Sequence, residues 1–124
     1  MGKSVAWPLF NLALAVALGA FGAHALESRL DPHAFEVYKT SRDYHMWLGL
    51  AWLALSLSPL SESGRKAVNG VFPVGLFLFC GSLYALALSG VKVLGAITPL
   101  GGVAWIGGLA WMGMLAVKGR LLVD

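Results

Sequence analysis

Four stretches of this chain carry no Asp, Glu, Lys or Arg: Ser4–Leu26, Tyr44–Ser61, Ala67–Val91 and Val93–Val117. Each is close to the ~20 residues that a helix needs to cross a ~30 Å hydrocarbon core at about 1.5 Å per residue. Soluble alternatives fail on area. A small domain buries only about 60–70% of the surface its unfolded chain exposes, and this 124-residue chain is 58% hydrophobic and 12% charged. The expected fold class is therefore all-α: an integral membrane bundle of four transmembrane helices in a single domain, 1–124, with spans near 7–26, 44–60, 71–89 and 99–117.

Local signals mark the ends. Asp31-Pro32 and Thr98-Pro99 each place a capping side chain before a proline at a first helical position. Gly90 follows the third run as a helix stop. Ser61 to Gly70 reads as a polar loop, which puts Pro73 in the first turn of the third helix, where its missing N–H costs little. From Pro32 to Asp43 the chain is polar but carries Phe35, Val37 and Tyr38. That pattern fits a short amphipathic helix at the membrane surface, or a helical extension of the second span. Lys3, the apolar run and Ala23-His24-Ala25 resemble a signal peptide, but the run is longer than the roughly 7–15 residues of such a core. It is expected to stay as the first span.

Four spans put both termini on one side. That side holds Lys3, Arg65, Lys66, Lys118 and Arg120, against Arg29, Lys39, Arg42 and Lys92 on the other. Five against four narrowly favours termini in the cytoplasm or an equivalent compartment.

Small residues let helix backbones approach closely in lipid, where association cannot draw on the hydrophobic effect. On the first helix Asn11, Ala15, Gly19 and Gly22 share one face, and Ala13, Ala17, Ala20 and His24 share the opposite one. The third helix offers Gly81, Ala85 and Ser89; the fourth offers Gly101, Gly102, Gly107, Gly108 and Gly113. Ala15, Gly19, Gly22, Gly81, Ala85, Gly101, Gly102 and Gly108 are the expected packing positions.

Chemistry-bearing residues are sparse. With no carboxylate in any expected span, the small multidrug transporters, which depend on one in their first helix, are a poor match. A net charge of +3 with no basic–aromatic patch leaves nucleic acid without a footprint. No nucleophile–base pair, phosphate loop or nucleotide fingerprint is present, so no enzymatic role is expected. The lone Cys80 reads as a small buried hydrophobe. His24 and His45 fall at span ends on one bilayer face. They could ligate haem or a metal as a pair, although structural hydrogen bonding is the plainer role, and no cofactor is expected. Tyr84 needs a partner for its hydroxyl in lipid.

Gly19-Ala20-Phe21-Gly22-Ala23-His24, Tyr44-His45, Gly81-Ser82-Leu83-Tyr84-Ala85-Leu86-Ala87-Leu88 and Thr98-Pro99-Leu100-Gly101-Gly102 together resemble the domain of unknown function 423 family of small bacterial membrane proteins. That family is similar to eukaryotic transmembrane protein 256. The resemblance runs along nearly the whole chain, and it implies a four-helix membrane protein with no established activity. The chain departs from the family pattern before His45. The pattern has Tyr-Gln where Ser41 and Arg42 stand, and an apolar residue at Asp43, so this patch is more charged here.

On the expected topology the four motifs meet in the half of the membrane opposite the termini. They predict a polar cluster of His24, Tyr44, His45, Ser82, Tyr84 and Thr98. The leading functional expectation is a non-catalytic accessory or stabilising subunit of a larger membrane complex, with the bilayer and other membrane subunits as partners. The alternatives are a binder or transporter of a lipophilic molecule such as a lipid or quinone, and a haem or metal redox protein using His24 and His45.

Overall fold

The computed structural model describes residues 2–123, with side chains from Ser4 onward. After a 3₁₀ turn at Gly2–Val5, four helices follow: α1, Ala6–Leu26; α2, Pro32–Ser56; α3, Glu62–Ser89; and α4, Thr98–Val117, with a 3₁₀ turn, Lys92–Ala96, before the last. Side chains fix the starts of α2 and α3. The Asp31 carboxylate accepts the Ala34 N–H at 2.8 Å, and the Ser61 hydroxyl accepts the Gly64 N–H at 2.9 Å. Gly90 ends α3 with φ +73°, a left-handed conformation that side chains disfavour.

α2 lies between α1 and α3, and α4 packs along α3. The buried residues of α2 are Tyr38, Ser41, His45, Gly49, Trp52 and Ser56, spaced by three and four along one stripe. The main core joins Trp52 to Val68, Phe72, Leu76 and Cys80 of α3 and to Trp105 and Met112 of α4. Close approach sets the α3–α4 crossing. A Cβ on Gly101 would meet the Phe79 backbone, and one on Gly75 would meet the Trp105 indole. At the terminal end the tail folds back. Leu60 and Leu122 bridge antiparallel, the Ser61 N–H donates to Leu121 O at 2.8 Å, and the Val123 N–H donates to Pro59 O at 2.7 Å.

α1 and α3 each contain a π-helical segment, Ala17–Gly22 and Leu76–Gly81. π segments are rare and often stand at functional sites. α2 contacts both of them. The Tyr38 hydroxyl donates to Leu18 O at 2.6 Å, and the Ser41 hydroxyl donates to Cys80 O at 2.8 Å.

Several expectations need correction. Among the described residues three helices are long and apolar enough to cross a membrane: Ala6–Leu26, Glu62–Ser89 and Lys92–Val117. The expected span at 44–60 is not a separate element. Of the two readings of the stretch before it, the helical extension is what forms and the short surface helix is not: Pro32–Ser56 is one 25-residue helix that carries Glu36, Lys39, Arg42 and Asp43 in its first half. Its charge-free part, Tyr44–Ser56, reaches only ~20 Å at about 1.5 Å per residue. The stretch read as a loop, Ser61–Gly70, is mostly the first turns of α3, so Pro73 lies in the helix interior. Thr98 does not cap α4; its hydroxyl is turned to Ser82 at 2.6 Å.

The continuity of α2 also alters the charge count. Lys39 and Arg42 leave the loop tally with α2, and Arg65 and Lys66 leave it with α3, so Lys3, Lys118 and Arg120 at the terminal end face Arg29 and Lys92 at the other. The margin in favour of cytoplasmic termini stays narrow. An impermeant thiol reagent applied to intact cells is expected to label Arg29→Cys and to reach Lys66→Cys only after the membrane is opened. The reverse pattern would invert the topology.

Candidate functional site

His45 is 4% exposed and stands where α1, α2 and α3 meet. Its Nδ1 lies 3.0 Å from the Tyr84 hydroxyl, and its Nε2 lies 2.8 Å from Asn11 Oδ1. One neutral tautomer serves both contacts: Nε2–H donates to the asparagine oxygen, and Nδ1 accepts from the tyrosine O–H. A single imidazole thus ties three helices. Tyr84 also packs against Tyr38, with ring centroids 5.2 Å apart, so the network joins the hydroxyl that caps the π segment of α1. Asn11 Nδ2 is buried without a hydrogen-bond partner and lies close beside Gly49.

The expected cluster divides. His45 and Tyr84 are joined, and Ser82 and Thr98 form a second pair linking α3 to α4. Tyr44 sits on another side of α2, its ring 4.8 Å from Phe79 and 6.1 Å from Trp105 between centroids. His24 is exposed near the end of α1, and it is 13 residues, or ~20 Å along the helix, from the Asn11 that His45 contacts. A haem or metal held jointly by His24 and His45 does not fit: the two are far apart, and both His45 nitrogens are engaged. The network also lies deeper than the expected half-membrane position, because the long Tyr84 side chain reaches back along α3.

The packing positions divide as well. Ala15 is fully buried; a Cβ on Gly19 would lie 3.2 Å from the Arg42 stem; a Cβ on Gly22 would strike the Tyr38 hydroxyl; and Gly108 faces Val71. Gly102 makes only ordinary contact with the Phe79 ring, Ala85 is half-buried, and Gly81 has open space around it. Gly49 and Gly75 are close-approach sites that the small-residue pattern left out. Asn11, Tyr38 and Ser41 are the functional residues that sequence reasoning missed. Asn11 carried a readable signal as an amide inside an apolar run.

Two further features flank the network. Between α1 and α3 a lateral cleft of about 430 Å³ has walls that include Phe10, Leu14 and Phe77, and a floor that includes His45, Trp52 and Tyr84. On the outer side of α2, Arg42 and Asp43 form an ion pair at 3.0 Å, with their side chains 32% and 42% exposed. Its depth follows from the neighbours. Arg42 lies over Gly19, three residues from the middle of α1, and Ser41 bonds Cys80, one residue from the middle of the charge-free run Ala67–Val91.

Interhelical hydrogen bonds in membranes are worth on average about 0.6 kcal/mol, with a maximum near 1.7. A double-mutant cycle of His45→Ala and Tyr84→Phe is expected to return a coupling in that range, measured by thermal unfolding in detergent. Additive losses would mean that the contact contributes nothing.

The model for the family described as protein of unknown function (DUF423) matches residues 18–102. The UPF0382 membrane protein YwdK of Bacillus subtilis is 44% identical over 92 residues, which is 72% of this chain and 75% of that one. UPF0382 membrane proteins of Staphylococcus saprophyticus and Staphylococcus aureus are each 40% identical, over 72% of this chain and 75% and 74% of theirs. No solved structure matches. With a family model covering most of its length and these bacterial membrane proteins as relatives, the chain belongs to the DUF423 family of uncharacterised membrane proteins.

Proposed function

We propose that this protein is a non-catalytic accessory or stabilising subunit of a larger membrane assembly. The observation that carries the reading is the Arg42–Asp43 pair. Its neighbours lie near the middle of α1 and of the charge-free run of α3, yet it remains partly exposed on the outer side of α2. A charged side chain at the bilayer centre costs about 2.5–3.5 kcal/mol even on insertion scales. Such residues in membrane proteins almost always face protein or a water-filled cavity. Other protein covering this side of α2 meets that requirement. The His45 imidazole supports the same reading, since both its ring nitrogens are used to hold helices together. Extraction of native membranes in a mild detergent is expected to bring this chain out with a larger assembly containing other proteins. Recovery solely as the free chain would refute the proposal.

The cleft between α1 and α3 supports a second reading, a site for a lipophilic molecule. Its walls are apolar, and its floor offers His45 and Tyr84 to a hydrogen-bonding group. Mass spectrometry of the purified protein should then find a retained lipid or quinone that Leu14→Trp, which fills the cleft, displaces. An unchanged lipid complement in the variant would count against it.

A further inference from the structure

The Arg42–Asp43 pair lies in a shallow groove of about 300 Å³, between Ala15, Gly19 and Ala20 on α1 and Met46 beside the pair on α2. Arg42 Nε and Nη2 both donate to the same oxygen, Asp43 Oδ1, at 3.2 and 3.0 Å. Among the described residues nothing is hydrogen-bonded to the second carboxylate oxygen or to Nη1. The pair therefore presents one unused acceptor and one unused donor edge, with no net charge.

We propose that the occupant of this groove is a second copy of the chain, related by a two-fold axis along the membrane normal. The proposal rests on the reading that protein covers the pair, and it names that protein. A two-fold axis in that direction keeps every residue at its own depth. The partner's Arg42–Asp43 pair then arrives level with this one without any adjustment of tilt. It arrives reversed, so each unused guanidinium edge meets the unused carboxylate oxygen opposite, giving a closed ring of two cations and two anions. Self-complementary contact of this kind is what an isologous interface requires. A partner offering a lone acid or a lone base would leave one edge unmet and a net charge at mid-depth. The small, exposed Ala20 keeps the approach open.

Cross-linking in native membranes tests this directly. With a short bis-maleimide, Ala20→Cys and Met46→Cys are expected to give a covalent dimer as the main product, and Val103→Cys, on the exposed side of α4, is expected to give none. The native Cys80 is 2% exposed and out of reach. Failure at both groove positions, or equal cross-linking at Val103→Cys, would overturn the proposal. A charge exchange gives a second readout. Arg42→Asp places two acids together and Asp43→Arg two bases, so each differently tagged variant should fail to pair with itself, and the two should copurify when coexpressed. Self-pairing at wild-type level would also overturn it. If either charge variant fails to insert, the cross-links decide alone. A large native assembly with one copy of the chain would refute the dimer and leave the accessory reading standing. A dimer with no other protein would do the opposite.

Discussion

Replacing Asp43 by leucine is expected to lower stability by about 3 kcal/mol and to deplete the protein from the membrane. The substitution removes the carboxylate that binds Arg42 through two hydrogen bonds and leaves a guanidinium without its counter-charge, at mid-depth on the proposed placement of the pair. Removing one member of a buried ion pair costs far more than removing both, because the survivor keeps its desolvation penalty. The double variant, Arg42→Leu with Asp43→Leu, is accordingly expected to unfold within about 1 kcal/mol of the wild type. Thermal unfolding in detergent and steady-state levels in membranes measure both. Equal losses from the single and double variants would mean that the pair lies in water, and the depth assigned to it would fall. The double variant also separates folding from association: it should be folded and monomeric.

Gly101→Val is the second substitution expected to act strongly. α3 and α4 touch there through backbone, and a Cβ would meet the Phe79 backbone, which cannot move aside as the end of a flexible side chain could. Overpacking at such a site costs about 1–3 kcal/mol. It would also part Ser82 from Thr98, whose hydroxyls pair at 2.6 Å one turn away. Gly107→Val on the same helix is the control. Nothing lies within 4 Å of a Cβ there, so the change should stay within about 0.5 kcal/mol. Equal unfolding temperatures for the two variants would contradict the crossing geometry.

Some of this was legible in the sequence. α1, α3 and α4 follow from length and apolarity, because lipid leaves a backbone few choices. The Gly90 stop and the Asp31 cap follow from local chemistry. α2 misled the reading, because a charge was taken to end a span. Arg42 and Asp43 neutralise each other, and Lys39 pairs with Glu36 one turn away, so the helix continues through them. The site was half legible. Tyr84 visibly needed a partner, and His45 was among the candidates. Ser41 and Tyr38 were not legible, because they donate to carbonyls within π segments, and the sequence does not announce those segments. His24 looked equivalent to His45 only because both adjoin apolar runs; one faces inward and the other outward.

The folded-back tail carries a consequence for biogenesis. Its hydrogen bonds join Pro59 and Ser61 to Arg120, Leu121 and Val123, which are made after α4. The turn after α2 therefore waits, its amide unmet by protein, until α4 has been delivered and the tail has emerged on the same side. If α3 and α4 both cross the membrane, closing this latch reports that the pair crossed together. A chain in which one of the two failed to cross would carry its tail to the far side and leave the latch open. For the same reason, a purification tag fused after Asp124 loads a joint that can close only once α4 is in place.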